Sequence, residues 1–191
     1  ISNKGAYQRY SHGVGIGDIN GDGRVDILES ACWWEQPAKP QPGQPWIRHE
    51  HKFADAAAQM LVYDLDGDGL NDVFTDWHCH LYGLVWHKQV RGEAGEIEFQ
   101  QQVILPSEPD LNSSDLRISQ LHAFDLVDMN GDGLKDVLTG KRFWAHGPKG
   151  DKEPNAPAVV YWFQLNRAAD KSVSFTPHQI DDDSGVGTQV A

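Results

Sequence analysis

The chain has 191 residues, a net charge of −12 at neutral pH and 39% hydrophobic residues with 19 glycines and 10 prolines, a turn-rich composition with enough apolar residues for a core. So acidic a chain is a poor match for phosphate backbones, so nucleic acid is not an expected partner. No apolar run approaches the ~20 residues of a membrane span, and two cysteines, Cys32 and Cys79, are too few for a disulfide framework.

In chain order, Ile1 and a polar spacer come first, with no initiator Met, charged n-region or apolar h-region, so a targeting signal is expected to have been removed or to lie elsewhere. Three units follow, each reading as strand, acidic turn and three further strands. The first pairs Val14 to Ile16 with Val25 to Leu28 around an acidic turn, then continues through Trp33-Trp34 and Trp46 to His49. The second uses Met60 to Tyr63, Asp72 to Thr75, Gly83 to Trp86 and Ile97 to Ile104. The third uses Phe124 to Val127, Asp136 to Thr139, Val159 to Phe163 and Val173 to Ile180. The β-branched and aromatic content of these runs, broken by Gly, Asn and Asp, is the signature of strands and turns. The expected fold is therefore all-β, a β-propeller of four-stranded antiparallel blades, with units at about 10–50, 57–105 and 119–181 and Gly185 to Ala191 starting a fourth. Three blades are too few to close a ring of typically four to eight. The expectation is a fragment, a processed piece or a subunit completed by further blades from the rest of the protein or from another subunit. Trp34, Trp86 and Trp162 are expected to pack between blades.

The acidic turns are Asp18-Ile-Asn-Gly-Asp-Gly-Arg-Val-Asp26, Asp64-Leu-Asp-Gly-Asp-Gly-Leu-Asn-Asp72 and Asp128-Met-Asn-Gly-Asp-Gly-Leu-Lys-Asp136, whose starts are 46 and 64 residues apart. Alternate positions bring oxygens to one side of a tight loop, as a hard cation with six to eight oxygen ligands requires. The candidate Ca2+ ligands are the side chains of Asp18, Asn20, Asp22 and Asp26, of Asp64, Asp66, Asp68 and Asp72, and of Asp128, Asn130, Asp132 and Asp136. The backbone carbonyls of Arg24, Leu70 and Leu134 complete the sets. One such turn is an ordinary Asx/Gly turn; three copies concentrate charge that a counter-ion must offset. The ninth residue is Asp and strands flank the loop, which separates it from the 12-residue, Glu-terminated, helix-flanked EF-hand.

These loops and their flanking strands resemble FG-GAP or VCBS repeats over essentially the whole chain. The resemblance implies a calcium-stabilised β-propeller and leaves activity open.

In such a blade the acidic turns share one face, and the turns from strand two to strand three share the other with the starts of strand one. That second face carries His12 and His122 at equivalent positions, with Ala58 and Gln59 in the corresponding place of the second unit. It also carries Cys32, Trp33, Trp77, His78, His80, Lys141, Arg142 and His146. His122, His78, His80, Lys141 and Arg142 are the candidate catalytic residues, and His12, Trp77 and His146 the candidate substrate-binding ones. Imidazoles such as His78, His80 and His122 are also candidate ligands for Zn2+, and Mg2+ is a further candidate at this face. For each alone, packing or surface hydrogen bonding is the ordinary role.

A narrower resemblance adds chemistry. Ser11-His-Gly-Val-Gly-Ile-Gly-Asp18, Trp33-Trp-Glu-Gln-Pro37, Ser119-Gln-Leu-His122 and Thr139-Gly-Lys-Arg-Phe143 are similar to the propeller region of aldos-2-ulose dehydratase and its planctomycete-type bacterial relatives. It implies a metal-containing propeller that eliminates water from oxidised keto or anhydro sugars, with cupin domains following; no cupin is present here. Two readings result. One is a carbohydrate-active lyase module working by β-elimination. The other is a non-catalytic calcium-stabilised propeller that binds carbohydrate or protein in adhesion or assembly. Loops of this kind suit calcium near ~0.1–1 mM, which implies a periplasmic or secreted location.

Overall fold

The computed structural model describes residues 12–187 and is all-β, with twelve strands and no helix among those residues. The segment expected to start a fourth unit runs beyond the described residues; Gly185, Val186 and Gly187 form no strand.

The strands fall into three antiparallel meanders of four. The first is β1 (Val14–Gly17), β2 (Asp26–Glu29), β3 (Cys32–Glu35) and β4 (Ile47–Glu50). The second is β5 (Gln59–Tyr63), β6 (Asp72–Asp76), β7 (Leu84–Arg91) and β8 (Ile97–Leu105); the third is β9 (Leu121–Val127), β10 (Asp136–Lys141), β11 (Val160–Arg167) and β12 (Val173–Asp181). Each acidic turn connects the first and second strands of its meander, as the apolar runs flanking it predict.

The first two meanders merge into one strongly curled eight-stranded sheet because β1 pairs with β5 in parallel, Val14 opposite Gln59 and Gly15 opposite Met60. Glycine permits this approach. A Cβ on Gly15 would lie 2.5 Å from the Met60 carbonyl oxygen, inside any allowed contact. The third meander is a separate sheet joined to the second by a side chain: Gln59 Oε1 accepts the Phe124 N–H at 2.6 Å. A threonine three residues after the last loop aspartate repeats one local device. Thr75 Oγ1 donates to the Gln59 carbonyl at 2.7 Å and Thr139 Oγ1 to that of Ala123 at 2.8 Å, which fixes the second strand against the start of the first.

The core lies between meanders. Leu28, Trp33, Phe53, Met60 and Val73 fill the space between the first and second, and Phe74, Trp86, Phe124, Val137, Phe163 and Leu165 that between the second and third. Of the three tryptophans expected in the core, Trp86 is buried, whereas Trp34 is only half-buried and Trp33 takes its place. Trp33 stands opposite Leu28 in the β2–β3 register, and cross-strand partners share a face, so it follows buried Leu28 inward. Trp162 is half-buried and stacks on His178 with ring centroids 4.3 Å apart.

Candidate functional site

The acidic turns fold alike because the first aspartate organises the backbone around itself. Asp18 accepts the N–H groups of Gly21, Asp22 and Gly23 at 2.8–3.0 Å; Asp64 and Asp128 do the same for their loops. Both glycines of the first loop take positive φ, 77° and 82°, a region where a side chain is strained. The fifth residue caps the seventh, Asp22 to Arg24, Asp68 to Leu70 and Asp132 to Leu134.

The ninth residue has a second occupation. Asp26, Asp72 and Asp136 are fully buried. Each accepts one N–H from the loop's second residue and one from the chain in or just beyond the third strand: Ile19 and Gln36, Leu65 and Gln89, Met129 and Leu165. These carboxylates tie each loop to its own meander whether or not an ion is bound. In the second loop, oxygens of Asp64, Asp66 and Asp72 lie within 4.8 Å of one another, an all-oxygen set of the kind calcium takes. That loop has an aspartate where the other two have Asn20 and Asn130, and Lys88 reaches in to pair with Asp66 and stands 3.6 Å from Asp68.

At the other end of the strands lies the histidine cluster. His122 is the second residue of β9, so about five residues of extended chain, roughly 17 Å at ~3.4 Å per residue, separate it from its acidic loop. His12, His80 and His122 converge with ring centroids 5.1–5.4 Å apart. His146 stacks on His80 at 4.7 Å. Arg142 reaches this cluster: it donates to His122 Nε2 at 2.8 Å and to Asp151 Oδ2 at 3.1 Å. Asp151 also receives His146 Nδ1 at 2.9 Å and stands 3.1 Å from His80 Nδ1. In the tautomer that donates Nδ1–H to Asp151, His80 has an Nε2 lone pair 3.4 Å from His12 Nε2; in the other, Nδ1 accepts from Arg142 Nη2 at 3.1 Å.

Burial, then the Arg142 charge, pushes His122 down to about 3. Burial lowers His80 as well, with Asp151 opposing, so both imidazoles are neutral near pH 7. Burial opposes ionisation of Asp151, yet hydrogen bonds from His146 and His80 outweigh it and hold the carboxyl low. One ligand atom from each of His12, Cys79, His80 and His122 falls within a 4.8 Å set. Its nitrogen and sulfur donors suit Zn2+ and not Mg2+, which demands oxygen. Burial pushes the Cys79 thiol up to about 12, so as a ligand it would give up its proton to the metal.

Of the remaining sequence candidates, His78 borders the cluster, its ring centroid 6.1 Å from that of His80 and its Nδ1 accepting the His80 N–H at 3.2 Å. Trp77 donates to Asp55 Oδ2 at 3.1 Å, with the Lys52 ammonium 5.4 Å over its ring. Lys141 lines a separate cavity. Cys79 and Asp151 carry no spacing signal of their own; Asp151 comes from 71 residues beyond His80, which no local pattern reveals.

No protein-family model matches the chain, and a search of curated proteins finds no relative.

Proposed function

We propose that this chain is a calcium-stabilised segment of a β-propeller whose histidine end processes an oxidised sugar by β-elimination. The observation that carries the site is the convergence of neutral His80 and His122 with Arg142 and Asp151 at the strand ends opposite the acidic loops. The propeller reading is supported by three repeated meanders whose first strands adjoin, with β1 and β5 parallel, as inner strands around an axis are. Val14 and Ile16 on β1 are 66% and 67% exposed, apolar surface that a further blade would cover.

In this reading Asp151 orients His80, whose Nε2 removes the proton from the carbon beside the sugar carbonyl. Arg142, 7% exposed, offers N–H groups to the enolate oxygen that develops, an interaction strengthened by exclusion of water. Three of the clustered residues, His12, Cys79 and His122, would hold a Zn2+ ion, leaving His80 free as the base, and the ion would supply Lewis-acid polarisation when bound. A carbohydrate-like substrate and a periplasmic or secreted location belong to the same proposal, the latter resting on the modest calcium affinity of such loops.

The test is elimination of water from 1,5-anhydrofructose, followed as enone absorbance. Wild-type turnover with loss of at least ~100-fold in Asp151→Asn, at unchanged calcium content, supports the reading. Sugar binding without turnover in the zinc-loaded protein would refute it in favour of a carbohydrate-binding scaffold.

A further inference from the structure

Lys141 is the last residue of β10, and neighbouring residues of extended chain face opposite ways; Arg142 enters the histidine cluster, and Lys141 does not. It lines a cavity of about 260 Å3 with Arg117, Ser119, Glu153, Val159 and Tyr161. Lys141 is 2% exposed, and its Nζ has no hydrogen-bond partner among the described residues. The Asp182 carboxylate also lines the cavity without bonding Nζ, and three other polar neighbours are engaged elsewhere. Arg117 Nε pairs with Glu153 at 3.0 Å, Ser119 Oγ donates to the Lys152 carbonyl at 3.0 Å, and the Tyr161 hydroxyl donates to Gln179 at 2.7 Å. A buried ammonium without a partner is costly, and burial lowers its pKa, which favours the neutral amine. The Glu153 and Asp151 carboxylates act the other way and Phe143 lies 5.9 Å under the nitrogen, but burial outweighs them and none of them gives Nζ a hydrogen bond.

We propose that Lys141 is a nucleophilic amine that captures a small aldehyde or ketone entering this cavity as an imine. The nitrogen lone pair forms the C–N bond while the carbonyl oxygen takes one amine hydrogen. The carbinolamine then breaks its C–O bond, and the oxygen leaves as water with the second amine hydrogen as the C=N bond forms. A cavity of about 260 Å3 suits a small carbonyl compound, and the proposal is independent of whether the histidine cluster is catalytic.

The probe is glyceraldehyde with sodium cyanoborohydride near neutral pH, read by peptide mapping. Lys39 and Lys149, both exposed, serve as internal references. Reductive labelling of Lys141 is expected about tenfold faster than at either reference, as desolvated amines react. Lys141→Met should abolish that label and raise the Tm, because it removes a buried amine whose N–H groups have no partner; a lysine kept only for packing would lower Tm when replaced. Labelling of Lys141 no faster than of the references overturns the proposal, and so does a fall in Tm in the Lys141→Met variant.

Discussion

The ninth and fifth loop positions carry different burdens, and substitution separates them. Asp72 is fully buried and accepts the N–H groups of Leu65 and Gln89 at 3.0 and 2.8 Å. Asp72→Ala leaves both donors buried and unpaired at about 1–3 kcal/mol each. The loss is therefore roughly 2–6 kcal/mol in chelator, and larger in calcium because Asp72 is also a candidate ligand; at ~2–4 °C per kcal/mol for a chain of this size the chelator loss alone lowers Tm by at least about 4 °C. Asp68 is only part-buried and accepts the Leu70 N–H at 2.8 Å, so Asp68→Ala costs at most about 1 kcal/mol in chelator. In saturating calcium it additionally loses the ion's contribution, about 1.4 kcal/mol for every tenfold weakening. Thermal melts of both variants in EDTA and in millimolar calcium measure this directly. Equal losses for the two variants in EDTA, or an Asp68→Ala loss that calcium leaves unchanged, would refute the reasoning.

Three further outcomes follow from the geometry. His87 is 1% exposed, donates from Nε2 to the Phe53 carbonyl at 2.7 Å and is pushed down to about 4 by burial. It lies below its unfolded value of ~6.5, so its contribution, up to about 3 kcal/mol, is complete above pH ~6.5 and lost as pH falls toward 4; urea melts of His87→Gln should show a flatter pH profile there. Gly15→Ala places a methyl against the Met60 carbonyl, 2.5 Å away, and should cost about 1–3 kcal/mol by denaturant titration. Lys88→Met frees Asp66 and Asp68 from a competing ammonium and should tighten calcium binding at the second loop in calorimetric titration.

The acidic turns and the strands beside them are legible because their determinants are local: nine-residue spacing, glycines at fixed offsets and β-branched flanks. The histidine cluster is legible only by half. His12, His80 and His122 follow from where strands begin and turns fall, whereas Asp151 and Cys79 join them through loop contacts no periodicity reports. Lys141 and Arg142, adjacent in sequence, separate because they face opposite ways, and a pair grouped by sequence becomes two sites. Trp33 displaces Trp34 from the core for the related reason that register, not composition, decides which face a residue takes.

Calcium in the acidic loops underlies the whole account, and calorimetric titration of the chelator-treated protein with CaCl2 tests it most directly. The account predicts saturable heat with one ion per acidic loop and a Tm that rises with calcium concentration. No saturable heat at millimolar calcium, together with an unchanged Tm, would contradict it.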